Sequence, residues 1–146
     1  MEHRKRILLV DDDSDILRAT SLRLSGAGFE TSTALNGMEA VTNAMKDQPT
    51  AIVMDVRMPL KDGLTALDEL KQESGTRQIP VVMLSASLVD REKALDAGAS
   101  YFLSKPYEGR ELIKAVNAAI DQAESDEYLC STAVVPKMKA KYRYDR

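Results

Sequence analysis

The chain has 146 residues, 44% of them hydrophobic, and a formal charge of −3. That length suits one domain with a real core, and so small a charge gives no reason to expect nucleic-acid binding through bulk electrostatics. No apolar run approaches the roughly 18 residues of a membrane span, and the four-residue run after the basic start, Met1 to Arg6, is too short for a secretory signal.

The first strand is predicted over 6–10, where Ile7-Leu8-Leu9-Val10 ends in Asp11-Asp12-Asp13. An amphipathic helix over 14–25 follows; Asp13, Ser14 and Asp15 suit its cap, and Gly26 and Gly28 its end. Phe29-Glu30-Thr31-Ser32-Thr33 alternates with polar residues, as a strand at a sheet edge does. A helix over 37–47 opens on Asn36, with Glu39 three positions on. The third strand, 51–54, runs into Asp55-Val56-Arg57-Met58-Pro59-Leu60-Lys61-Asp62-Gly63 and a helix over 64–74. The fourth strand, 81–84, ends in Ser85-Ala86, and its helix over 88–97 stops at Gly98, a C′ glycine. The fifth strand, 100–103, leads into Ser104-Lys105-Pro106. A last helix over 108–124 carries the stripe Leu112, Ile113, Val116, Ala119, Ile120 and Ala123.

Strands alternating with helices of this length argue for parallel βαβ units. The first, third and fourth strands are apolar without alternation, as parallel strands covered on both faces should be. The expected fold class is α/β: a doubly wound, flavodoxin-like (βα)5 sandwich with a five-stranded parallel sheet. For five such units the common strand order is 2-1-3-4-5, and ligands bind beyond the carboxyl ends of the strands at the switch point. Strands 1 and 3 are then neighbours, which makes Asp11, Asp12 and Asp55 adjacent. Ser85 lies beside Asp55, and Lys105 one strand further out.

Singly, a strand-end Asp is usually a turn or cap, Ser85 a cap hydroxyl and Lys105 a surface lysine. Together they form a site. Three clustered carboxylates repel unless a cation sits among them. All-oxygen ligands with room for water suit Mg²⁺ or Mn²⁺ rather than Zn²⁺. A carboxylate beside the metal can attack phosphorus, and the metal, the Ser85 hydroxyl and the Lys105 ammonium can neutralise the phosphoryl oxygens.

Residues 6–124 closely resemble the receiver domain of two-component response regulators, the CheY-like family. The motifs are Leu9-Val10-Asp11-Asp12, Met54-Asp55 with Met58-Pro59 and Asp62-Gly63, Ser85-Ala86, Asp96-Ala97-Gly98-Ala99 and Lys105-Pro106-Tyr107. The resemblance implies that Asp55 accepts a phosphoryl group from the phosphohistidine of a histidine kinase or histidine phosphotransfer protein. It implies Mg²⁺, with Mn²⁺ as a substitute, held by Asp12, Asp55 and the Arg57 backbone carbonyl, and by Asp11 mainly through water. It implies that Lys105 pairs with the phosphoryl group across a cis Lys105–Pro106 bond. Ser85 would be the switch hydroxyl and Phe102 the switch aromatic; Thr and Tyr are frequent at those positions. The fourth helix, fifth strand and fifth helix would then present a changed surface to a downstream protein or to a second copy of the chain. A receiver is a phosphoacceptor signalling domain that assists its own chemistry, not an enzyme in its own right. Arg57, two residues after the acceptor, is a long cation expected to cover the phosphoryl group and shield it from water.

One cysteine, Cys130, cannot form an internal disulfide, so a cytoplasmic protein is expected. After about residue 124 the pattern dissolves. Residues 1–124 carry 15 Lys and Arg against 20 Asp and Glu; residues 125–146 carry 5 against 3. The expected organisation is a receiver over 1–124 and a solvated tail or linker stub over 125–146, with no output domain, no direct nucleic-acid contact and no membrane contact. The alternatives are a receiver cut from a hybrid kinase or DNA-binding regulator and, more distantly, an aspartate-nucleophile phosphatase, whose second acid Asp55-Val56-Arg57 lacks. His3, the only histidine, precedes the first strand and makes a poor phosphodonor.

Overall fold

The structure is a computed structural model that describes residues 4–132, with side chains described through residue 128. His3 and residues 133–146 of the expected tail lie outside the described residues. The elements alternate without exception: β1 (Arg6–Val10), α1 (Ser14–Gly26), β2 (Glu30–Ala34), α2 (Gly37–Asp47), β3 (Ala51–Asp55), α3 (Gly63–Gln72), β4 (Val81–Ser85), α4 (Leu88–Asp96), β5 (Tyr101–Ser104) and α5 (Gly109–Thr132). All strand pairs are parallel and the order is β2-β1-β3-β4-β5.

Side chains of a strand alternate between faces, and here both faces are covered. Leu8, Val10, Ile52, Met54, Val81 and Met83 pack with Ala40, Ala44, Ala66, Leu67, Leu70 and Ala94 of α2, α3 and α4. Ile7, Leu9, Val53, Val82 and Leu84 pack on the other face with Leu17 and Leu24 of α1 and Leu112, Val116, Ala119 and Ile120 of α5. The alternating β2 is an edge strand, as its pattern implies, and β5 is the other edge.

The helix starts follow capping chemistry. Asp13 accepts from the backbone N–H of Asp15 and Ile16, Asn36 from Glu39 and Asp62 from Thr65. At α5 the Glu111 carboxylate instead reaches back to the Glu108 N–H at 2.8 Å. A cap contributes about 1 kcal/mol, whereas each buried leucine or isoleucine contributes roughly 1.5–3 kcal/mol. Burial therefore decides that α5 docks.

Apart from the end of α5, every boundary falls within two residues of the sequence reading, and two of the differences have a clear physical cause. β2 begins one residue later because Phe29 turns into the α1–α5 core and its N–H closes on the Leu24 carbonyl. α5 continues through Thr132 rather than ending at 124. No glycine or proline interrupts residues 125–132, and Gln122 Nε2 donates to Asp126 Oδ1, one turn on, at 3.2 Å. Among the described residues no helix is long and apolar enough to cross a membrane.

Candidate functional site

The carboxyl ends of β1, β3, β4 and β5 deliver the site. Asp55 is the last residue of β3, registered against Leu84 of β4, and Ser85 is registered against Ser104 of β5. Past the strand ends the ladder continues, with the Val56 N–H on the Leu84 carbonyl and the Lys105 N–H on the Ser85 carbonyl, both at 2.9 Å. These bonds fix the backbone from which each polar side chain projects. The Lys105–Pro106 bond is cis.

Asp11, Asp12 and Asp55 each offer one carboxylate oxygen, and the three oxygens lie within 4.8 Å of one another. Asp11 and Asp55 are buried and Asp12 is exposed. Lys105 Nζ donates to Asp55 Oδ2 at 2.8 Å, while Asp55 Oδ1 receives the Arg57 N–H at 3.4 Å. Burial works against the Lys105 charge, but its bond to Asp55 outweighs that and holds the ammonium above its ordinary range. A single lysine does not balance three carboxylates, and hard oxygen donors at this spacing fit Mg²⁺.

Burial is the main reason that the Asp11 carboxyl is pushed up to about 6; Asp55 and Asp12 add to the rise, against the Asp13 N–H it accepts. The folded chain therefore holds the Asp11 proton more tightly than the unfolded chain. In the metal-free protein this contribution favours folding most near pH 4 and below, and it is lost as pH rises through about 6. That rise corresponds to about 3 kcal/mol, reduced by solvent screening to about 1–2 kcal/mol. Asp11→Asn, which keeps an acceptor for Asp13, is expected to be more stable than wild type by that amount at pH 7.5 in EDTA, and to gain little from Mg²⁺. Urea unfolding at pH 5 and pH 7.5 checks it; equal stability at pH 7.5 would contradict this electrostatic reading.

Ser85 is turned toward α4. Its Oγ donates to Asp90 Oδ2 at 2.6 Å and accepts the Ser87 N–H at 3.1 Å. Arg57 also points there, with Nε on Asp90 Oδ2 at 3.0 Å and Nη2 on Oδ1 at 3.3 Å. In the unmodified protein the Arg57 guanidinium, expected to cover a phosphoryl group, is thus paired with the buried Asp90. Asp90 is the residue that the sequence reading missed. Burial pushes its carboxyl up, yet the bonds from Ser85 and Arg57 overcome this and hold it below the usual range. The sequence carried no signal for it: only the fold shows that Asp90 and Ala94, one turn apart, are the buried positions of α4. Phe102 is half-buried against the α2–α3–α4 core. A cavity of about 870 Å³ lies at the opposite end of the sheet among Thr50, Pro80, Ser100 and Glu127, and holds none of these groups.

The family described as response regulator receiver domain matches residues 7–117. The chain belongs to the response-regulator receiver family. The transcriptional regulatory protein PrrA of Mycobacterium leprae is 43% identical over 117 residues, which cover 79% of this chain and 49% of that protein. The receiver therefore spans about half the length of the curated relatives it matches. The chemotaxis protein CheY4 of Vibrio cholerae is 29% identical with a TM-score of 0.75, over 80% of this chain and 99% of that chain. The receiver domain of the sensor histidine kinase PA1611 from Pseudomonas aeruginosa is 30% identical with a TM-score of 0.76, over 82% and 99% of the two chains. That structure has a magnesium ion coordinated in its active-site cleft.

Proposed function

We propose that this receiver takes a phosphoryl group onto Asp55 from the phosphohistidine of a kinase or phosphotransfer protein, and that the modified site changes which protein it binds. The observation that carries this reading is the placement of Asp55, flanked by two carboxylates and bonded to a lysine at 2.8 Å. A carboxylate oxygen of Asp55 attacks phosphorus. The new P–O bond forms as the P–N bond to the donor imidazole breaks, and the imidazole leaves as the neutral ring after protonation. Asp11, Asp12, Asp55 and the Arg57 carbonyl would hold Mg²⁺, which when bound supplies positive charge to the phosphoryl oxygens. Lys105 follows the new charge from the Asp55 carboxylate to the phosphoryl group. Ser85 turns to a second oxygen and Phe102 fills the space behind it, so α4, β5 and α5 present a changed face.

The receiver unit occupies residues 1–124 in this reading. Its place within a longer DNA-binding regulator is supported by relatives that are transcriptional regulators of about twice its matched length. A cytoplasmic location comes with the proposal, because the phosphohistidine donor is made there from ATP.

The test is to treat wild-type protein with acetyl phosphate, with Mg²⁺ and with EDTA, and to read intact mass. Addition of one phosphoryl group with Mg²⁺ and none with EDTA is expected. Labelling that ignores EDTA would count against the three-carboxylate site.

A further inference from the structure

We infer that Asp90 is a positioning residue that holds both the Ser85 hydroxyl and the Arg57 guanidinium off the phosphoryl site, and so sets how readily Asp55 is modified. The inference rests on the phosphoacceptor reading of Asp55 and deepens it. Asp90 lies in the first turn of α4 and is only 3% exposed. Its two oxygens take three bonds from groups attached to the ends of β3 and β4. Ser85 spends its one proton on Asp90, so it has none for a phosphoryl oxygen until that bond breaks. The Arg57 side chain is 71% exposed and only its inner edge is held, so it can swing without passing through the core.

A phosphoryl group on Asp55 is a stronger attractor for both. It carries more charge than Asp90, and its oxygens accept short, charge-assisted bonds. The exchange has a cost. If Ser85 and Arg57 both leave, a buried carboxylate loses its partners, which is strongly unfavourable. The Asp90 side chain must then reach water, and it does so only if the first turn of α4 moves. That turn is lightly held: its cap residue, Ser87, makes no side-chain cap bond, and Leu88 and Val89 beside it are exposed. Asp90 thus ties the acceptor site to the start of α4 through a named carboxylate.

The probe is beryllofluoride, a non-hydrolysing stand-in for the phosphoryl group, titrated with Mg²⁺ and followed by amide NMR. A hydrogen bond to a charged group is worth enough that losing one shifts a two-state equilibrium on the order of tenfold. Asp90→Ala is therefore expected to bind beryllofluoride about tenfold more tightly than wild type. Asp90→Asn, which keeps an acceptor for Ser85 but no charge for Arg57, should fall between, and it keeps the test sound if the alanine variant folds poorly. In a Ser85→Ala, Arg57→Ala background the Asp90 substitutions should have no further effect. Unchanged or weaker binding by both Asp90 variants overturns the inference. An equal gain in the Ser85→Ala, Arg57→Ala background overturns it too, since only the removal of a nearby negative charge would then be at work. A wild type with no beryllofluoride response would defeat the phosphoacceptor reading itself.

Discussion

Asp55→Asn protein mixed with acetyl phosphate and Mg²⁺ is expected to keep its unmodified mass while wild type gains a phosphoryl group. The substitution changes almost no volume, so the β3 end and its ladder to β4 should persist. The chemistry does not persist. An amide oxygen is neutral, its lone pair is delocalised, and no anionic nucleophile remains. Lys105 also loses the charge it holds at 2.8 Å. Asp12 is exposed and Asp11 is tied to the Asp13 N–H, so neither is placed to take over. Intact mass gives the labelling and circular dichroism the fold. Equal labelling of both proteins, with the variant folded, would move the acceptor elsewhere.

Gly63→Ala is expected to cost about 3 kcal/mol or more, a large share of the 5–15 kcal/mol that hold a typical domain together. Gly63 opens α3 directly over the end of β3, and its N–H donates to the Val56 carbonyl at 2.8 Å. A Cβ there would lie 2.2 Å from the Asp55 carbonyl oxygen, 2.9 Å from the Val56 Cα and 2.9 Å from the Met83 Cε. The methionine tip can yield, but the two backbone atoms cannot. Relief requires α3 to rise from the sheet, which loosens Ala66, Leu67 and Leu70 in the core, or requires the Asp55 backbone to shift. The second route misplaces the acceptor carboxylate, so slower phosphorylation should accompany the stability loss. Urea denaturation measures the first effect and acetyl phosphate labelling the second. A variant within about 1 kcal/mol of wild type would show that this close approach is softer than its distances imply.

The candidate site was legible in the sequence because parallel strands collect their carboxyl ends at one edge. Once the runs ending at Val10, Met54, Leu84 and Leu103 are taken as strands in the order found, Asp11, Asp55, Ser85 and Lys105 have nowhere else to go. Apolar periodicity also placed the helices, but it misplaced the end of α5. The apolar stripe stops near Ala123, and residues 125–132 stay helical without it, supported by helix-compatible residues and the Gln122–Asp126 bond. Asp90 was illegible for another reason. An acidic residue in the first turn of a helix is ordinary, favoured by the helix dipole. Only the approach of α4 to β3 and β4 shows that this carboxylate points inward to Ser85 and Arg57. The same pairing holds Arg57, read from the sequence as a cover for a phosphoryl group on Asp55, against Asp90 in the unmodified protein.

Locating the phosphoryl group tests the central claim most directly. Wild-type protein phosphorylated with Mg²⁺ and acetyl phosphate, then reduced with borohydride, converts an aspartyl phosphate to homoserine. Peptide mass spectrometry should place a single homoserine at position 55. A mark at another carboxylate, or phosphate that survives on a serine or on His3, would contradict Asp55 as the acceptor.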